Sequence, residues 1–206
     1  MRATVILSGG QSKRMGLDKG LLPLNNKPLI LHVFDAVKNF SDEIIISLSR
    51  NSIISKYAEI LPNNVHIVID SFPIQSPVVG IYSGLSKTSA DYAFIVSCDM
   101  PFVNSNIVKF LFDEAIGFDA AIPKWPNGLI EPLHAVYKVE TALIAAKEAC
   151  EYNEMRNTDI IKRLKKVNYI STNKLKEFDY ELHTFFNINT LDDFKNAVEI
   201  LKRKVK

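Results

Sequence analysis

The chain predicts an α/β fold built on a mainly parallel sheet, and three observations carry that prediction. Short apolar, β-branched runs alternate with amphipathic stretches of about ten residues, the pattern of βαβ units. The first run, Ala3-Thr4-Val5-Ile6-Leu7, is apolar on nearly every residue and reads as a buried strand. A loop rich in glycine and cations follows it directly, at the strand end where open α/β sheets hold ligands.

The elements follow in order. A strand over 4–7 leads into the loop, and an amphipathic helix over 29–37 precedes a strand over 43–48. A helix over 53–60, a strand over 65–69 and a helix over 79–87 continue the alternation. The run over 92–97 reads as a central strand. Pro101 stops a helix from continuing through its end. Asn104 and Ser105 stand at the start of a helix over 106–115. A strand over 120–123 ends at the turn Lys124-Trp125-Pro126-Asn127-Gly128, after which the order is less regular. Strands over 135–137 and 166–170 and helices over 139–149 and 158–164 fill the second half. A last helix over 191–204 has Thr190 as its N-cap and Asp192-Asp193 in its first turn.

Composition narrows the classes. With 206 residues, 47% hydrophobic and 23% charged, the chain suits one well-buried core. It reads as a single domain over 1–206, with clean alternation over about 1–123 and less regular order over about 124–206. A net charge of +2 and one short basic tail, Lys202-Arg203-Lys204-Val205-Lys206, argue against a nucleic-acid partner. Cys98 and Cys150 make neither a disulfide framework nor a zinc site. The opening apolar run is too short for a signal peptide, and no segment is long enough to span a membrane. A cytoplasmic protein is expected.

The loop, Leu7-Ser8-Gly9-Gly10-Gln11-Ser12-Lys13-Arg14-Met15-Gly16-Leu17-Asp18-Lys19-Gly20, carries the chemistry. Adjacent glycines let the backbone approach a ligand, and Lys13, Arg14 and Lys19 supply fixed positive charge. Backbone N–H groups and cations converging on one loop describe a polyphosphate site. The spacing fits neither a P-loop nor a dinucleotide fingerprint. A nucleoside triphosphate is the expected ligand, which makes about 1–123 the nucleotide-binding half of the domain and about 124–206 the acceptor-binding half.

Asp99, just past the central strand on the same sheet edge, is placed to hold a divalent cation, because Mg²⁺ typically takes one or two carboxylates plus phosphate oxygens. Its other reading is a helix N-cap. Lys19 and Arg14 are the expected clamps for the triphosphate and leaving pyrophosphate; Arg14 could instead brace Asp18. Asp70, ending the strand over 65–69, is a candidate nucleoside contact or an Asx-turn with Ser71. Ser47 closes the second strand, and Gly80 and Gly84 imply close approach in the helix over 79–87. Glu131 precedes Pro132 and is expected to be extended. Asn187 and Asn189 alternate with Ile188, which puts both amides on one face of an extended segment. They could also simply satisfy backbone at a helix entry. His32, His66, His134 and His183 show no spacing for a triad or a metal cluster.

The string Leu7-Ser8-Gly9-Gly10, Arg14-Met15-Gly16, Asp18-Lys19-Gly20-Leu21-Leu22 resembles the signature of the molybdenum cofactor guanylyltransferase (MobA) family. Asn26-Lys27-Pro28-Leu29, Pro77-Val78-Val79-Gly80-Ile81, Cys98-Asp99-Met100-Pro101, Glu131-Pro132-Leu133 and Asn187-Ile188-Asn189-Thr190 extend the resemblance from about residue 3 to about residue 195. Two positions depart from the family pattern: Ser8 stands for its usual Ala, and Ser47 for an Asn that often contacts the base. The resemblance implies a Rossmann-like three-layer α/β/α nucleotidyltransferase that moves GMP from GTP, with Mg²⁺, onto the phosphate of molybdopterin and releases pyrophosphate. It implies catalytic roles for Arg14, Lys19 and Asp99, with Asp99 on the metal. Nucleotide contacts would come from Leu7, Ser8, Gly9, Gly10, Lys19, Ser47, Asp70, Gly80 and Asp99, and Glu131, Asn187 and Asn189 would line the pterin side. Molybdoenzymes or cofactor-insertion proteins are the protein partners it implies. Two other readings stay open: a cytidylyltransferase of the same superfamily acting on molybdopterin or on a sugar or polyol phosphate, and a non-catalytic nucleotide-binding regulator.

Overall fold

The computed structural model describes residues 1–9, 11–12 and 17–204. The chain opens with β1 (Arg2–Ser8), the small ladder β2 (Gln11–Ser12) and β3 (Leu17–Asp18), and the hairpin β4 (Pro23–Leu24) and β5 (Lys27–Pro28). Then come α1 (Leu29–Val37), β6 (Glu43–Leu48), α2 (Ile54–Ile60), β7 (His66–Ile69), α3 (Pro77–Leu85) and β8 (Tyr92–Ser97). Next follow α4 (Ser105–Glu114), β9 (Ala120–Lys124), β10 (His134–Lys138), α5 (Val139–Glu151) and α6 (Asn157–Ile161). The chain closes with β11 (Val167–Ser171), α7 (Thr172–Leu175) and α8 (Leu191–Lys204).

A 7-stranded sheet runs in the order β11-β9-β10-β8-β1-β6-β7. Every pairing is parallel except the two made by β10, which runs against both β8 and β9. The expected three layers are present. On one face Val33, Phe34, Ile107 and Leu111 of α1 and α4 pack with Tyr57 of α2 over Ile6, Ile46 and Val96. On the other, Val78, Val79 and Leu85 of α3 and Ala142 and Ala146 of α5 cover Val5, Ile45 and Ile95. Central strands covered on both sides need apolar residues at consecutive positions, and β1, β6 and β8 have them.

Each strand expected from the sequence forms. α3 starts two residues earlier than the apolar period indicates, because Ser76 accepts from the Val79 amide and Pro77 takes the first turn. Packing of α3 on β1 is close: a Cβ on Gly84 would lie 2.3 Å from Val5 Cγ1. The β4–β5 hairpin turns on Asn25 and Asn26, both left-handed with φ of 52° and 60°, as a two-residue hairpin with a matching twist requires. α8 lies over this hairpin, where Leu22, Leu24, Leu29, Phe102, Ile188 and Ala197 form a third buried cluster. No described helix is long and apolar enough to cross a membrane.

Candidate active site

Parallel strands bring the ends of β1, β6, β7 and β8 to one rim, and a cavity opens there against the first turn of α3. Leu7, Gly9, Lys19, Ser47, Asp70, Gly80 and Asp99 all line it. Gly10 and Arg14 lie outside the described residues.

At the β6–β7 end, Ser47 Oγ donates to Asp70 Oδ1 at 2.9 Å. The Asp70 amide continues the ladder to the Leu48 carbonyl, and Arg50 Nε donates to the Asp70 carbonyl at 3.1 Å. Ser71 donates its amide to Ser83 Oγ, and the Asp70 carboxylate takes its hydrogen bond from Ser47 rather than from the backbone two residues on, as an Asx-turn would have it. Burial pushes the Asp70 carboxyl above its usual range, against the opposing pull of the Ser47 hydroxyl and Arg50. A Cβ on Gly80 would stand 3.1 Å from Leu7 Cδ2, 3.6 Å from Ser47 Oγ and 3.7 Å from Asp70 Oδ1. Glycine therefore keeps this floor open.

At the β8 end, Lys19 Nζ donates to Asp99 Oδ2 at 2.5 Å and to Asn189 Oδ1 at 2.8 Å. Asp99 and Lys19 side chains are only 12% and 18% exposed, so the pair is shielded much more than a surface ion pair. The Asp99 carbonyl accepts from the Ile188 amide at 3.0 Å, which pins the Asn187–Asn189 segment to the rim. Asp99 is not the N-cap of α4; Asn104 Oδ1 fills that role for the amides of Asn106 and Ile107. Asp99 Oδ1 is buried and has no hydrogen-bond partner among the described residues. An unpaired buried carboxylate oxygen is expensive, and a cation is a partner that suits it. Neighbouring Cys98 is inert, since burial pushes its thiol up to about 12.

A buried polar chain holds the segment that carries Lys19. Ser8 Oγ bonds Tyr57 Oη at 2.7 Å, and that hydroxyl donates to Asp18 Oδ1 at 2.5 Å. Asp18 Oδ1 also accepts from the Gly20 amide at 3.3 Å. Ser8 therefore turns its side chain away from the cavity and can offer a ligand only its backbone. A Cβ on Gly20 would come within 2.4 Å of Ser8 Oγ and 2.7 Å of Tyr57 Oη. Sequence reasoning missed Tyr57, and nothing local could have shown it: it reads as one more apolar residue of an amphipathic helix.

The three residues assigned to the pterin side separate. Asn189 joins Lys19 and Asp99. Glu131 accepts from Trp125 Nε1 at 2.7 Å, and burial raises its carboxyl. Trp125 packs edge-on against Phe185, whose carbonyl accepts from Asn187 Nδ2 at 3.2 Å. Glu131 and Asn187 are thus engaged with the aromatic group on the α1–α4 face, together with His134, which burial drives down to about 3. Neither lines the cavity. Among the described residues no cluster of three or more His, Cys, Asp and Glu side chains forms a metal cage.

Residues 4–167 match the profile of the MobA-like NTP transferase domain. A relative from Methanosarcina mazei, named probable molybdenum cofactor guanylyltransferase, is 34% identical over 99% of this chain and 93% of its own length. One of the same name from Natranaerobius thermophilus is 34% identical over 97% of this chain and 96% of its own. The crystal structure of molybdopterin-guanine dinucleotide biosynthesis protein A from Archaeoglobus fulgidus superposes with a TM-score of 0.83 at 29% identity, covering 98% of this chain and 99% of that one. The 4-diphosphocytidyl-2C-methyl-D-erythritol synthase of Anaerococcus prevotii, at 14% identity and a TM-score of 0.72, shares the fold. The chain belongs to the MobA-like NTP transferase family.

Proposed function

We propose that this chain transfers GMP from GTP to the terminal phosphate of molybdopterin, releasing pyrophosphate. An acceptor phosphate oxygen attacks the α-phosphorus in line; the new P–O bond forms as the bond to the β-phosphate oxygen breaks. The acceptor phosphate is already anionic, so no general base is needed. Transfers of this kind depend on positioning and charge neutralisation more than on covalent work by the protein. Lys19, with Arg14 and the backbone amides of Gly9 and Gly10, would hold the triphosphate and take up charge on the leaving pyrophosphate. Asp70 and Ser47, beside the Gly80 floor, would address the nucleoside.

Asp99 Oδ1 suits Mg²⁺, with Asn189 Oδ1 as a neutral oxygen nearby. When bound, Mg²⁺ supplies positive charge against the phosphates that Lys19 alone does not match. One observation carries the reading: a shielded lysine–aspartate contact, with one carboxylate oxygen unused, in the same cavity as the Ser47–Asp70 pair. Incubation with each labelled triphosphate, Mg²⁺ and molybdopterin tests it. GMP retained on the pterin is the expected product. CMP retained instead would make the chain a cytidylyltransferase, and no transfer with any nucleotide would leave it a binding module. Micromolar GTP should also raise the melting temperature by mass action where CTP does not.

A further inference from the structure

A groove in the second half of the chain takes no part in the site described above. Lys124, Ile130 and Pro132 form one bank, Arg156 and Asn157 the other, and Tyr169 of the edge strand β11 stands in its wall. Tyr169 pairs with Ile122, whose side chain packs in the core on the α3–α5 face. Lys124 is two residues further along β9 and shares that face. The groove therefore lies on the same side of the sheet as the nucleotide cavity. The two are joined on both banks: Pro132 lines the groove and Leu133 the cavity, while Ser76 of the cavity wall donates to the Met155 sulfur at 3.2 Å, one residue before Arg156.

We infer that this groove seats the ring system of the acceptor, with Lys124 and Arg156 facing its anionic groups. The inference rests on the guanylyl-transfer reading and gives it a second subsite. Two cations line the groove and no described carboxylate does. Neither Lys124 nor Arg156 makes an ion pair among the described residues. The nearest acid on the Arg156 bank, Asp159, already holds Lys162 Nζ at 2.7 Å and the Arg156 backbone amide. Lys124 Nζ lies 5.2 Å from the centre of the Tyr169 ring, so charge and an aromatic face are presented together. Asn157 Oδ1 is buried in the same lining without a partner among the described residues. A flat heterocycle with ring N–H donors and an anionic dithiolene matches all three features: stacking on Tyr169, an N–H to Asn157, and the dithiolene against the two cations. The nucleotide cavity has Asp70 and Asp99 in its wall, and its lining cation, Lys19, is already held by Asp99 and Asn189.

Equilibrium titration of molybdopterin into the full chain without nucleotide, beside a GTP titration, tests this without turnover. Arg156→Glu and Lys124→Glu are expected to weaken molybdopterin binding by about tenfold or more, as loss of a charge-assisted contact does, and to leave GTP affinity within about twofold. Both side chains are on the surface, so a melting curve suffices to confirm folding. Arg156→Lys should recover part of the affinity. Variants that bind molybdopterin as the unaltered chain does would overturn the groove, as would an unaltered chain with no affinity for molybdopterin. A chain that binds molybdopterin through these residues yet transfers no GMP would sink the enzymatic reading alone.

Discussion

At the rim each aspartate commits one oxygen and keeps the other: Asp99 gives Oδ2 to Lys19, and Asp70 gives Oδ1 to Ser47. The remaining oxygens are what a ligand can use, and they fail differently when changed. Asp99→Asn keeps the size and loses the charge, so pyrophosphate release should fall by ~10²-fold or more, the loss typical when one preorganised electrostatic contact is removed. A variant still releasing pyrophosphate at the original rate would remove Asp99 from the chemistry. Asp70 makes a prediction about pH. Burial raises its folded-state pKa above the ordinary carboxylate range. The folded chain thus holds this proton more tightly than the unfolded chain. That contribution is fully present below the unfolded pKa and is lost as pH rises through the folded one. Above the folded-state pKa the ionised carboxylate is a burden on stability. Asp70→Asn keeps an acceptor for Ser47 and removes the charge, so it should raise Tm at pH 7.5 by about 2–4 °C for each kcal/mol relieved. Differential scanning calorimetry should show the gain shrinking toward pH 4, while GTP affinity falls at pH 7.5.

Elements hold these residues through contacts that are short and far apart in sequence. Gly84→Ala would put a methyl 2.3 Å from Val5 Cγ1, between α3 and the middle of β1. Alanine favours a helix over glycine by ~1 kcal/mol, but overpacking of this kind costs about 1–3 kcal/mol, and α3 cannot shift without moving Gly80. A net fall in Tm is expected in a thermal melt, with weaker GTP binding from the displaced floor. Tyr57→Phe removes the hydroxyl between Ser8 and Asp18 and strands two polar groups, which should cost about 1–3 kcal/mol of urea-unfolding free energy. It should lower the rate of GMP transfer as well, because Asp18 no longer fixes the turn that aims Lys19. The strands were legible in advance because β1, β6 and β8 are apolar at consecutive positions, a requirement of their double burial. Tyr57 was not, since its hydroxyl acquires meaning only when α2 meets Ser8 across the fold. Strand direction was equally hidden: β10 is as apolar as β8, which it runs against, and no periodicity separates up from down.

In the whole molecule the site joins three distant parts of the chain, Lys19 after the first loop, Asp99 past the fourth sheet strand and Asn189 at the entry to the last helix. The local signals were legible singly: a glycine–cation loop, an aspartate at a strand end, an alternating Asn-Ile-Asn. Their meeting was not, and the same limit separated Glu131 and Asn187 from Asn189, because the pairing of Glu131 with Trp125 depends on how the 124–133 segment folds back on itself. α8 is what closes the arrangement. Ile188 and Ala197, with Phe194, Val198 and Leu201 against them, cover Leu22, Leu24 and Leu29 of the segment next to Lys19. Asp193 accepts from the amides of Asn189 and Thr190, and Thr190 Oγ1 caps the Asp193 amide. Removing residues 191–206 uncovers that cluster and frees the Asn189 carbonyl amide from its fixed position beside Lys19. The shortened chain should keep its sheet signature in far-ultraviolet circular dichroism, since α8 covers the hairpin and not the central strands. It should melt lower and lose most of the stabilisation that GTP gives the full chain. If the shortened chain kept the full GTP-dependent shift, Lys19 would be held by β1 and Tyr57 alone, and α8 would be a cover for Leu22 and Leu24 with no part in the site.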